Sequence, residues 1–172
     1  RGDGSAIGKG LLTATAENDI FIIEAYGDMN VRNVLSNHGD VALIAAVSIF
    51  DAVDLVDPTN PASADEAWTG SRLKADVLGN NIMLDARLGF IGAAGNELDI
   101  DSRRGAGGVL NSDSAENSYI IETSGDVYLE QVGTGAAETA FITATGGGIY
   151  NGAAADVSNV TGGRAFLIAN TD

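Results

Sequence analysis

Two stretches of this chain are copies of one another. Placing Ile22 on Ile120, an offset of 98, aligns the sequence without a gap as far as Ala46 on Ala144. Ile22-Ile23-Glu24 meets Ile120-Ile121-Glu122, and Gly27-Asp28 meets Gly125-Asp126. Val34 meets Val132, and Ala42, Ile44 and Ala46 meet Ala140, Ile142 and Ala144. That makes nine identities in 25 positions, where ordinary composition gives roughly two by chance. Just upstream, Ala16-Glu17-Asn18 matches Ala115-Glu116-Asn117 after a one-residue shift. Residues 1–172 thus read as a single segment holding about 1.75 copies of a long repeat.

A shorter unit lies inside the long one. A turn pair followed by a short alternating run appears as Gly39-Asp40-Val41-Ala42-Leu43-Ile44-Ala45 and as Asn80-Asn81-Ile82-Met83-Leu84-Asp85-Ala86. It returns as Gly163-Arg164-Ala165-Phe166-Leu167-Ile168-Ala169, and Asn18-Asp19-Ile20-Phe21-Ile22 begins the same way. Starts at 18 and 39 are 21 apart, and 39 to 80 is 41, about twice that. Period-two alternation reads as strand. A short strand recurring every twenty-odd residues is what stacked solenoid coils produce, because no coil can bury its own apolar face. The fold class expected is therefore all-β, a β-solenoid. The alternative is a β-sandwich, but that fold needs no fixed internal period and favours larger core residues than the Ala and Gly abundant here. A solenoid register would make 98 residues a whole number of coils. Ile22 and Ile120 should then both face the core, as should Leu43 and Phe141, since a one-residue slip turns a strand over.

Charge and composition narrow the partners. Lys and Arg total 9 against 24 Asp and Glu, a formal net charge of −15. Nucleic acid and anionic membranes need a basic surface, so neither is expected. The absence of Cys excludes disulfides, thiolate metal sites and a Cys nucleophile. No apolar run approaches the ~18 residues of a membrane span. The chain opens on Arg1 and is expected to be part of something longer.

The Gly-Asp-apolar-x-Leu-x-Ala strand and the Ile-Ile-Glu-x-x-Gly-Asp link resemble the repeats of very large bacterial exoproteins, the filamentous-haemagglutinin-like adhesins. So does the segment Gly89-Phe90-Ile91-Gly92-Ala93-Ala94-Gly95-Asn96-Glu97-Leu98-Asp99-Ile100-Asp101. The resemblance covers Ala16 to Ala169. It implies a right-handed parallel β-helix, export to the bacterial cell surface, and a role in adhesion, aggregation or spacing. The partners it implies are neighbouring repeats of the same protein, surface glycans or another cell. The Gly-Gly-x-Gly-x-Asp calcium nonapeptide is missing, so calcium binding by that device is not implied.

Several residues could carry chemistry, and each also has a plain structural reading. An insertion at 51–71 breaks the strand rhythm with Asp57-Pro58-Thr59-Asn60-Pro61, and Ala62 to Lys74 has a helix-like composition. Its Asp51, Asp54 and Asp57 are the candidate ligands for Ca²⁺, which takes six to eight oxygens from adaptable loops. Trp68, Asp65 and Glu66 form a candidate contact surface, because an aromatic beside carboxylates suits sugar stacking. The alternative is an insertion that folds over the rod and buries Trp68. Asp99 and Asp101 alternate with Leu98 and Ile100 and read as a solvated strand face. Glu24 and Glu122 stand a whole repeat apart. They read as turn caps rather than a glycosidase pair, which would need roughly 5–10 Å between carboxyls. His38 reads as a turn residue facing water, Gly146-Gly147-Gly148 as a coil corner, and Arg1-Gly2-Asp3 as one more Gly-Asp turn. Arg103-Arg104 is an adjacent basic pair that could face acidic neighbours, and Asn159-Val160-Thr161 fits a glycosylation pattern.

Two function classes follow. One is a non-enzymatic structural or adhesive module. The other is a carbohydrate-active β-helix, which would need Asp, Lys and Arg lined along one sheet. Two Lys and seven Arg, scattered mostly singly, give no such line. No cofactor is expected beyond the candidate Ca²⁺.

Overall fold

The computed structural model describes residues 10–52, 75–102, 107–154 and 158–170. The strands, numbered in chain order, are β1 (Leu11–Ala16), β2 (Ile20–Glu24), β3 (Met29–Ser36), β4 (Val41–Ala45), β5 (Ile49–Asp51), β6 (Val77–Leu78) and β7 (Ile82–Ala86). They continue as β8 (Leu98–Asp101), β9 (Leu110–Ser114), β10 (Ser118–Glu122), β11 (Val127–Gly133), β12 (Thr139–Ala144), β13 (Ile149–Asn151), β14 (Val160–Thr161) and β15 (Arg164–Ala169). There is no helix among the described residues. Sheet 1 stacks β1-β3-β6-β8-β10-β12-β15 with β5 beside β3, and sheet 2 stacks β2-β4-β7-β9-β11-β13 with β14 beside β11. All strand pairings in both sheets are parallel. The chain alternates between the sheets and climbs one rung each time round, so the architecture is a β-solenoid of about six turns. A sandwich of antiparallel sheets is excluded by that pairing.

The twenty-residue rhythm is the length of one coil. Ile20 lies beside Val41, Met29 beside Ile49, and Ile120 beside Ile142. Alternate residues of each strand fill a narrow core between the sheets: Val41, Leu43 and Ala45 from β4, Ile82, Leu84 and Ala86 from β7, Ala140, Ile142 and Ala144 from β12. Small Ala beside branched Leu and Ile lets two sheets interdigitate at close range. At the corner between β12 and β13 a Cβ on Gly147 would run into the backbone of Gly125 one coil below. Only glycine fits there, as expected for a coil corner.

The 98-residue offset is not a whole number of coils. It carries β2 of sheet 2 onto β10 of sheet 1, and β3 of sheet 1 onto β11 of sheet 2, an advance of three and a half coils. Facing survives the half turn at first. Ile120 is buried, and Ile22 packs partly buried against the same core. Even an irregularity in register repeats, since β3 slips against β1 around Arg32-Asn33, as β11 slips against β9 around Glu130-Gln131. The expectation for Leu43 and Phe141 is overturned. Leu43 is fully buried, whereas Phe141 stands on the outer face and its neighbours Ala140 and Ile142 point inward. The cause is the connection before each strand. The chain between Val34 and the inward Val41 is one residue shorter than that between Val132 and the inward Ala140. One extra residue inverts a strand, so the identities at Ala42, Ile44 and Ala46 match residues that face opposite ways.

A single rung of sheet 1 houses the insertion. Met29–Val31 of β3 pair with β5, and Val34–Leu35 of the same strand pair with β6. The chain therefore departs after Ala52 and is back at Ala75 to complete the same rung. The intervening 53–74, which includes the Ala62 to Lys74 stretch of helix-like composition, lies outside the described residues.

Candidate functional site

The turn aspartates have a structural job that explains their recurrence. Asp19 Oδ1 accepts the N–H of Asp40 one coil on (2.9 Å), Asp40 Oδ1 that of Asn81 (3.0 Å), and Asn81 Oδ1 that of Val109 (3.1 Å). Asp28 does the same for Ser48 (3.2 Å), Asn117 for Thr139 (2.8 Å) and Asp126 for Gly148 (2.9 Å). Backbone N–H groups at corners fall outside the sheet ladders, and a short Asp or Asn side chain supplies the missing acceptor. Burial pushes the Asp40 carboxyl up. Hydrogen bonds from the Asn81 N–H, the Asn81 amide and the Asn80 amide outweigh it and hold the group below its usual value. Asp19, Asp28, Asp40 and Asp126 thus serve as coil-to-coil fastenings.

Glu122 is different. Its side chain is fully buried at the end of β10, beside Ile100 on one side and Ala144 on the other. Its Oε2 accepts from the hydroxyl of Ser102 (2.6 Å) and from the Ser102 N–H (3.1 Å), while Oε1 accepts from the Ser124 N–H (3.4 Å). Burial pushes the carboxyl up to about 7, against the pull of the Ser102 donors, with Asp101 adding repulsion. The repeat-equivalent Glu24 keeps the local bond, from the Tyr26 N–H (3.2 Å), but sits half-exposed in the first coil. Both glutamates cap turns, on opposite sheets.

The outer faces carry apolar side chains in two blocks. On sheet 2, Phe21, Ala42 and Met83 form one outward row and Ile23, Ile44 and Asp85 the next. Phe21 and Ile23 are 64% and 50% exposed, and the adjoining corners add Tyr26 and Leu88 at 96% and 71%. Further along the same rows the residues become Asn111 and Asp113. Sheet 1 has the reverse order. Asp99 occupies the row that continues as Ile121, Thr143 and Ile168. Beside it, Tyr119, Phe141 and Phe166 stack with centroids 4.6 and 4.9 Å apart and planes 6° apart. Phe21-Ile23 and Tyr119-Ile121 are repeat equivalents, so the half-turn offset puts the same pair on opposite sides of the rod.

The candidates from the insertion fare unevenly. Asp51 is placed at the buried end of β5, and its carbonyl accepts from the Asn96 amide (3.0 Å). Asp54, Asp57, Asp65, Glu66 and Trp68 lie outside the described residues, as do Arg1-Gly2-Asp3 and Arg103-Arg104. Among the described residues no three His, Cys, Asp or Glu side chains gather as a metal cage. His38 is an exposed turn residue whose Nδ1 lies 3.1 Å from Glu17. The Asn159 amide donates to the carbonyls of Leu129 (2.7 Å) and Glu130 (3.2 Å) and to Asn151 (3.0 Å). It fastens a corner rather than standing free as a glycan acceptor. Sequence reasoning missed Glu122 as a buried group, because the same Ile-Ile-Glu phrase also precedes the half-exposed Glu24.

Compared with protein families, with curated proteins and with solved structures, the chain matches none. The class established is the β-solenoid, by its geometry alone.

Proposed function

We propose that this chain is a non-enzymatic structural and adhesive module, a stiff rod segment of a large secreted or cell-surface bacterial protein. The observation that carries the reading is the pair of outward apolar blocks on opposite sheets, the exposed Phe21-Ile23 and the half-buried Tyr119-Ile121. Contiguous exposed apolar surface marks contact sites, and a rod that repeats one on each side can bridge two neighbours. The coil-to-coil role of the turn carboxylates supports the same reading, because it gives Asp19, Asp28, Asp40 and Asp126 a structural task. Partners in this reading are neighbouring repeats, surface glycans or another cell. A glycan-binding β-helix gains less support from the aromatic ladder, since Tyr119, Phe141 and Phe166 stack face to face and present edges, not faces, along the rod.

The test is aggregation of beads coated with the 172-residue chain. Phe21→Ser with Ile23→Ser, and separately Ile121→Ser, should each reduce clustering, and the combination should abolish it. Clustering unchanged in all three, with melting intact, would make the segment a spacer with no adhesive face.

A further inference from the structure

We infer that Glu122 makes the junction between two adjacent coils a proton-binding site, so that the rod takes up a proton in its core and gains stability as pH falls from 8 to 5. The geometry is that of a group usable in either charge state. The Glu122 Oε2 to Ser102 Oγ contact of 2.6 Å works with the serine donating to a carboxylate. It works equally with a carboxylic acid donating to the serine, because a hydroxyl can do both. The Ser102 and Ser124 N–H groups bond to the carboxyl oxygens in both cases. Heavy atoms need not move, so protonation changes energy rather than shape.

The surroundings decide which state the fold prefers. Glu122 is fully buried. From β8 it faces Ile100 and the like charge of Asp101, from β12 it faces Ala144, and from the following corner Ser124. Among the described residues, β8, β10 and β12 carry no Lys or Arg. Three hydrogen bonds soften the desolvation of a carboxylate without cancelling it, and the group titrates at about 7 in the fold against 4.5 for a solvated glutamate. The folded chain thus holds this proton more than a hundredfold more tightly than the unfolded one. Because the folded value is the raised one, the stabilisation is complete below the unfolded value and is lost as pH rises through the folded one. That window lies above the range in which Asp40, held below its usual value, loses its charge, so the two effects separate.

The experiment is a set of thermal melts of the whole chain at pH 5, 6, 7 and 8, for the wild type, Glu122→Gln and Glu24→Gln, with carboxyl carbon-13 titration of the wild type. The wild type should melt progressively higher as pH falls, and Glu122→Gln should melt above it at pH 8 and level with it at pH 5. Glu24→Gln should follow the wild type. The Glu122 carbon should titrate near neutral pH. Parallel profiles for wild type and Glu122→Gln, or a Glu122 carbon that titrates below pH 5, would overturn the inference. Should the glutamine variant fail to fold, the carbon titration of the wild type decides alone.

Discussion

Residues 22–46 and 120–144 are copies of one repeat and live in two environments. In the first copy the Gly-Asp and Ile-Ile-Glu phrases belong to the first two coils. In the second the same phrases lie deep in the stack and on the opposite sheet. The local bonds are identical in kind, as the Glu24 and Glu122 caps show. What differs is everything set by the neighbouring coil, including burial, charge and, past the second strand, which way the side chains face. Repeat identity in a solenoid therefore prescribes turns and caps, while position in the stack prescribes energetics.

The comparison can be broken most directly at Leu43 and Phe141, which the alignment equates and the fold does not. Leu43→Ala removes a fully buried side chain and should lower stability by about 3–4 kcal/mol. Phe141→Ala, which loses ring stacking on the outer face, should lower it by about 1–2 kcal/mol. Urea denaturation of both variants tests this, and equal losses would restore the whole-coil register. Next in size, Asp40→Ala removes the acceptor for Asn81 and should lower stability by about 1–2 kcal/mol at pH 7. At the aligned position Glu138, the bonds from Gly163 and Arg164 go to the backbone carbonyl. Glu138→Ala should therefore change stability by less than about 0.5 kcal/mol. The Asp40 carboxyl sits below its usual value in the fold. Its contribution is thus present above the unfolded value and fades as pH falls through the folded one. Urea midpoints at pH 7 and pH 2 should show that loss.

Ser102→Ala sharpens the contrast between the two glutamates. It deletes a bond that favours the Glu122 carboxylate and should raise that carboxyl further. The variant should lose about 1–2 kcal/mol at pH 8 and less at pH 5. A uniform loss across that range, read from chemical denaturation, would mean the serine acts by packing alone. Smallest of all, Glu24→Gln should change stability by less than about 0.5 kcal/mol at any pH in that range, because its carboxyl is half in water.

Much of the coil was legible from the residues. Alternation at 41–45, 82–86 and 165–169 marked real strands, and the recurrent Asn-Asp and Gly-Asp pairs marked corners. The parity of β12 was not legible, because it depends on one extra residue in a connection whose composition looks like any other turn. The half-coil offset was hidden for a related reason. The segment inserted between β5 and β6 and the longer connection between β8 and β9 change the residue count without changing the sequence phrase. Nor could the burial of Glu122 be read from residues 118–124, since it depends on Ser102 and Ala144, which only stacking brings to it. Of the candidate site residues, only Asp51 lies among the described residues; it ends β5, and its backbone carbonyl accepts from the Asn96 amide.

The Asp and Asn side-chain bonds that recur at these corners point one way: Asp19, Asp28, Asp40, Asn81, Asn117 and Asp126 each accept from the coil that follows. A slice through these corners therefore exposes unlike surfaces, side-chain oxygens on the earlier coil and the N–H groups that bond to them on the later one, while the backbone bonds cross in both senses. Two such slices fit together in only one sense, since reversing one would set carboxylate against carboxylate. The rod has a heading, like a magnet, and any growth by stacking of coils must keep it.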